Sequence, residues 1–361
     1  MFGTFRLLLA ISVLVTHIGG VEIVAGQAVW GFFMLSGFLM TAVLQSKYHF
    51  DRQGMVAFAL SRFIRLFPTY WATVGVAALC IFAFHDSVDP SMINEAFNFP
   101  DKFIEYFSNI FIIGHTIFGV GRIENALSPS AWAVDVEILM YVCSCIFLSR
   151  SQKIAKITAI TLIAVYPLIY LFSKLIIQES IGLVIANQLL YSFIPSALLP
   201  YAIGSWLWFR RDHVPLSLRG LPAILIASAS LMTCAFVVSH VSVTGAYLLS
   251  LPCLAVVIAV LAHLKGKGRT VTSFDTMFGR MSYPVYLLQW VAAYLVVVWS
   301  PAGLELFSNS AALVHFSVLG FFAVLGITLA MSLLMALVLE GPIENLRPQL
   351  VNKLTHLRRA P

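Results

Sequence analysis

The sequence predicts an all-α integral membrane protein with about ten transmembrane helices and both termini cytoplasmic, and three observations predict it. Charge is scarce: 60% of the 361 residues are apolar or aromatic and 11% are Asp, Glu, Lys or Arg, against about 25% charged residues in a soluble domain. Charge at this density cannot cover a 39.8 kDa globule in water, and a mean hydropathy of +0.91 makes lipid the solvent. The apolar residues also gather in runs of spanning length, with basic residues concentrated in every second loop. A cytosolic enzyme, a secreted domain and a disordered chain are excluded. The net charge of +6 does not point to nucleic acid, because the basic residues lie in short clusters between apolar runs.

The first run, near residues 7 to 24, has one leading Arg and an interrupting His, which favours a helix over a cleaved signal peptide. Runs near 28 to 45 and 66 to 84 follow, joined by a loop with Lys47, Arg52, Arg62 and Arg65. The fourth, 131 to 149, leads to Arg150, Lys153 and Lys156; the fifth and sixth, 157 to 176 and 185 to 209, lead to Arg210, Arg211 and Arg219. The seventh and eighth, 221 to 239 and 244 to 264, lead to Lys265, Lys267, Arg269 and Arg280. The ninth and tenth, 281 to 299 and 312 to 339, precede a tail with Arg347, Lys353, Arg358 and Arg359.

With Arg6, 19 of the 22 Lys and Arg fall on one side, which the positive-inside rule makes cytoplasmic. The other face keeps Lys102, Arg122 and Lys174 and collects Glu22, Asp86, Asp89, Glu95, Asp101, Glu105, Glu124, Glu179 and Glu305. Residues 103 to 120 are almost long enough to span, but counting them would invert every later loop. An interfacial or re-entrant helix on the outer side is therefore expected there. Without repeats or a Pro, Gly or Ser linker, residues 1 to 345 read as one transmembrane domain and 346 to 361 as a basic cytoplasmic tail. Cys80, Cys143, Cys145, Cys234 and Cys253 all sit in apolar runs, so neither a disulfide framework nor a metal site is expected.

An ionisable side chain inside a bilayer is costly, so each one is a functional candidate. These are His17 in span one, Asp135 and Glu137 in span four and Glu340 at the cytoplasmic end of span ten, with Arg6, Arg62 and Arg65 at span mouths. Arg6 and His17 are eleven residues apart, close to three turns and about 16 Å, so they share a face, with His17 at or just beyond the midplane. His17 is either a general base or a buried His satisfied by a neighbouring hydroxyl. Entry of span four from outside at Trp132 sets Asp135 and Glu137 roughly 5 to 8 Å deep. A carboxylate at that depth would orient His17 and stabilise its imidazolium, although two residues diverging by about 200° cannot both face it. A structural ion pair with a neighbouring helix is the alternative. Arg62 and Arg65, at i and i+3, suit a phosphate and equally suit anchors snorkelling to headgroups.

Six segments, in order, carry a resemblance. They are RLLLAISVLVTH from Arg6 to His17, GFFMLSGFL from Gly31, SRFIRLFPTYW with Arg62, Arg65, Pro68 and Trp71, AWAVDVEILMY, GRMSYPVYLLQW from Gly279, and LEGPIENL from Leu339. Over nearly the whole chain they resemble the acyltransferase-3 family of integral-membrane acyltransferases, which O-acylate exopolysaccharides, lipopolysaccharide sugars and related acceptors in bacteria.

The resemblance implies acetyl-CoA or another acyl-CoA as donor substrate, no bound cofactor, and a polysaccharide or lipid-linked sugar as acceptor, in the bacterial inner membrane. Arg6, Arg62 and Arg65 would hold the donor, His17 would act as general base or transient acyl carrier, and Glu137 or Asp135 would orient it. Trp132, Ser36, Tyr283 and Glu340 would contact substrate or support the site. Gln289 stands where the family often has His, so no role is carried over to it. On ionisable residues and span number alone, a transporter or flippase remains the rival class.

Overall fold

The computed structural model describes residues 1–20, 25–48, 50–213, 243–266, 272–299, 307–310 and 313–356. The expected span 221 to 239, with Glu22, Arg219, Cys234, Lys267, Arg269, Glu305, Arg358 and Arg359, lies outside them. Among the described residues nine helices are long and apolar enough to cross a membrane, one for each of the other expected spans. The protein is an all-α, multi-pass integral membrane protein.

The helices are α1 (Phe2–Gly19), α2 (Ala25–Val43), α3 (Arg52–Phe84), α4 (Phe103–Phe111), α5 (Trp132–Cys143), α6 (Gln152–Phe172), α7 (Leu183–Tyr191), α8 (Ile194–Arg210), α9 (Val243–Gly266), α10 (Ser273–Trp299), α11 (Val318–Met335) and α12 (Gly341–His356). Caps mark their limits. Asp51 accepts from Gly54 N at 2.6 Å at the start of α3, Ser151 from Ile154 N at 3.2 Å at the start of α6, and Gly20 ends α1 with φ 70°.

Two elements differ from expectation. The third span was expected from residue 66, but α3 begins fourteen residues earlier at its Asp51 cap and runs unbroken for 33 residues, about 50 Å. Arg62 and Arg65 therefore sit within α3, on the one helix face their spacing predicts. The boundary expected between residues 345 and 346 falls inside α12, which packs back on α3, buries Val351, and pairs Glu344 with Arg280 of α10 at 2.8 Å.

Four central helices form the core, α1 against α10 and α2 against α8. The second pair crosses at Gly37, which faces the Tyr201 backbone, and Gly204, which faces the Met34 backbone; a Cβ at either position would collide with a carbonyl oxygen. Small residues let backbones approach where lipid supplies no hydrophobic drive. Hydroxyls add directional contacts: Thr41 bonds Ser149 at 2.8 Å and Ser205 at 2.7 Å, and Ser144 bonds Tyr201 at 2.8 Å. The helix α10 is buried along almost its whole length, so it is the shared wall for whatever lies on either side.

Residues 85 to 128 form a cap over one end of the bundle. Within it α4 is amphipathic in the inverted sense: Phe103, Ile104, Tyr106, Phe107 and Ile110 are exposed, while Glu105, Ser108 and Asn109 are buried. An apolar face turned outward and a polar face turned inward suit a helix lying in the membrane interface. A short antiparallel hairpin, β1 (Thr116–Ile117) and β2 (Val120–Arg122), follows it. Trp71 Nε1 donates to Ile110 O at 2.8 Å, and Ile194 N to Phe118 O at 2.9 Å, fastening the cap to α3 and α8. Met1 N pairs with Asp275 and Arg280 with Glu344, so both ends of the described chain lie at the end opposite the cap.

Candidate active site

Two cavities open along the axis of α1. The inner one receives Arg6 from α1, Arg62 and Arg65 from α3, Ser36 from α2, Glu137 and Tyr141 from α5, and Tyr283 and Tyr286 from α10. The separation of Arg62 and Arg65 by three residues brings both guanidinium groups to one helix face. Among the described residues none of the three arginines forms an ion pair. Arg62 is buried, donates to Met40 Sδ at 3.5 Å and Ser61 Oγ at 3.3 Å, lies over the Phe58 ring at 5.5 Å, and among the described residues leaves its Nε without a hydrogen-bond partner. A snorkelling anchor would lie in the headgroups; this one lies in protein beside two like charges.

Glu137 is the carboxylate of this cavity. It accepts from Ser36 Oγ and from Tyr141 OH, the latter at 2.7 Å, four residues along the same helix. Three guanidinium groups against one carboxylate leave the cavity cationic, and unpaired guanidinium groups of this kind are built to take phosphate oxygens.

The outer cavity lies under the cap and is lined by His17, His115, Arg122, Ser130, Trp132 and Trp290, among others. The His17 ring stacks on Trp290 with centroids 5.1 Å apart. Gln289 adjoins the imidazole, and its Nε2 donates to Ser130 Oγ at 2.9 Å and to Tyr286 O at 3.0 Å. His17 Nδ1 and Gln289 Oε1 are both buried and both lack a hydrogen-bond partner. Such orphaned groups cost free energy unless a ligand engages them.

Arg122 lies exposed on the cap hairpin with its guanidinium 4.4 Å over the Trp132 ring. Buried His115 contacts Tyr70 OH at 3.2 Å, and burial pushes its pKa down to about 4, so its ring is neutral at neutral pH.

The two cavities share walls. Tyr286 lines the inner one and Trp290, one turn further along α10, the outer; Glu137 lines the inner and Trp132, five residues earlier, the outer. A family model for an acyltransferase domain matches residues 2–337 of the chain. The chain belongs to the acyltransferase-3 family. No curated protein and no solved structure matches it.

The family match makes the protein a membrane acyltransferase and decides against the transporter reading. In this acyltransferase Arg6, Arg62, Arg65, Ser36 and Tyr283 converge with Glu137 in the inner cavity, whereas His17 and Trp132 meet in the outer one. Neither carboxylate proposed to orient His17 does so. Glu137 is held among the arginines by Ser36 and Tyr141, because five residues of α5 carry it about 7.5 Å beyond Trp132.

Asp135, on the opposite side of the helix, takes the backbone N–H and Oγ1 of Thr116 at 2.9 and 3.0 Å and so anchors the cap hairpin. Glu340 accepts from Thr69 Oγ1 at 2.7 Å and braces α3 below Arg65 without lining either cavity. Gln289, to which the sequence assigned nothing, is the neighbour of His17. Tyr141 was missed although its i+4 spacing from Glu137 is visible in the sequence, and Arg122 was noted only as one of three basic residues on the outer face.

Proposed function

We propose that the protein transfers an acyl group, in the first instance acetyl, from acyl-CoA on the cytoplasmic side of a bacterial inner membrane to a hydroxyl of a polysaccharide or lipid-linked sugar. One observation carries the reading: three guanidinium groups that form no ion pair among the described residues gather in a cavity beside the helix that carries His17. Arg6, Arg62 and Arg65 hold the nucleotide phosphates, and the pantetheine arm extends along α1 toward His17, about 16 Å away by helical rise.

His17 takes the proton of the acceptor hydroxyl as its oxygen attacks the thioester carbonyl carbon. The carbon–sulfur bond breaks, and His17 returns the proton to the departing CoA thiolate. A buried imidazole nitrogen without a hydrogen-bond partner among the described residues suits a base. The Gln289 amide and Trp290 hold the ring in place, the part first assigned to a carboxylate.

Purified wild type and His17→Ala in detergent, given radiolabelled acetyl-CoA with and without a crude surface-glycan fraction, test the reading. Label transfer to glycan by wild type and a loss of about two to four orders of magnitude in the variant are expected, the usual worth of a general base. Transfer retained by His17→Ala would refute the role of His17. Failure of wild type to consume acetyl-CoA would refute the donor.

A further inference from the structure

The outer cavity is chemically unlike the surface around it. That surface carries Asp86, Asp89, Glu95, Asp101 and Glu124, yet no carboxylate lines the cavity among the described residues, and its charged group is Arg122. Glu124, two residues along the chain, pairs with Lys102 instead, and no ion pair or hydrogen bond of the Arg122 side chain is found among the described residues. Its contact is the Trp132 ring, 4.4 Å below the guanidinium carbon.

Stacking fixes the plane of a guanidinium while leaving its in-plane N–H fork free, which is the presentation that takes a carboxylate or phosphate in two parallel hydrogen bonds. His17 lines the same cavity. Asn94 and Ser130 supply neutral hydrogen-bonding groups.

We propose that the acceptor is an anionic sugar, bearing a carboxylate or a phosphate, and that Arg122 selects it by gripping that group while the hydroxyl to be acylated reaches His17. This rests on the acyl-transfer reading above and specifies its acceptor. The acidic rim repels anions in general, so attraction is confined to the place where a guanidinium fork and a base lie together. Arg122 is thus a specificity-determining residue of the acceptor site.

The test uses full-length protein in detergent with three probes: methyl glucuronide, glucose 6-phosphate and the neutral methyl glucoside. Binding is measured without any acyl-CoA, by calorimetry, and acetyl transfer is measured separately. Wild type is expected to bind at least one anionic probe about tenfold or more tighter than the glucoside, the worth of one charge-assisted pair. In Arg122→Gln that preference collapses, and Arg122→Lys, which keeps the charge but not the fork, retains part of it.

The glucuronide and phosphate arms tell which anion is read. Equal binding of all three probes by wild type, or no binding of either anion, overturns the proposal. So does an equal fall in transfer to glucuronide and glucoside in Arg122→Gln, which would make Arg122 a stabiliser of the reacting centre instead. Anion-selective binding lost in Arg122→Gln supports the proposal even where acetyl-CoA is not consumed, an outcome that would refute only the donor reading.

Discussion

Replacing Arg62 by Gln separates a phosphate-binding arginine from a structural one, because the two roles predict opposite signs. Arg62 is buried, its Nε has no hydrogen-bond partner among the described residues, and its guanidinium meets a thioether and a hydroxyl at 3.3 Å or more and the Phe58 ring at 5.5 Å, while Arg6 and Arg65 add like charge in the same cavity. In the ligand-free protein this charge is a liability, so Arg62→Gln should melt at the same temperature as wild type or higher.

With donor bound, the lost charge-assisted hydrogen bond is worth about 1.5–3 kcal/mol, a weakening of roughly 10- to 150-fold in Kd. At a CoA concentration about 100 times the wild-type Kd, ligand binding stabilises wild type by about 2.7 kcal/mol; the same concentration should stabilise the variant by only about 0.3–1.4 kcal/mol. Thermal unfolding in detergent with and without CoA, alongside the KM for acetyl-CoA, measures both. A variant that is destabilised when empty and yet keeps the wild-type CoA shift would show that Arg62 props up the fold, and the assignment of the inner cavity to the donor would fall.

Other perturbations address the remaining parts. Glu137→Gln removes the negative charge of the inner cavity, so the KM for acetyl-CoA should fall or hold while the pH dependence of turnover, governed by His17 in the other cavity, stays where it was; a shifted profile would restore Glu137 as the partner of His17. Asp135→Ala strips the acceptor from two Thr116 donors and should free the 112–123 segment, seen as faster limited proteolysis there with the bundle intact.

Acid should act on the same cap. His115 is held neutral by burial with its pKa lowered from 6.5 to about 4, so its contribution is present above about 6.5 and is lost as pH falls toward 4; the protection factors of the cap amides, corrected for intrinsic exchange, should fall over that window, and His115→Gln should flatten the fall. Gly204→Val forces a side chain onto the Met34 carbonyl and should destabilise the α2–α8 crossing by about 1–3 kcal/mol or more, read as a lowered unfolding midpoint.

What was legible in the sequence follows from what the bilayer demands. Spans must be long and apolar, charges inside them must be few, and basic loops must gather on one side, so fold class, nine described helices and a short list of ionisable residues are written in one dimension. The grouping of Arg6, Arg62 and Arg65 was also legible, since two helical spacings and a shared mouth suffice for it.

Which cavity each residue enters was not legible. Asp135 and Glu137 are two residues apart and look interchangeable in sequence, yet one anchors a cap hairpin and the other faces three arginines, because rotation about α5 and the depth at which α5 begins are set by packing. The neighbour of His17 was hidden for the same reason. Gln289 lies 272 positions away in sequence and reaches it only because α1 and α10 pack side by side. Periodicity reports the face of a single helix; the partner of that face is decided by close approach between helices, here by glycines and hydroxyls that carry no chemistry of their own.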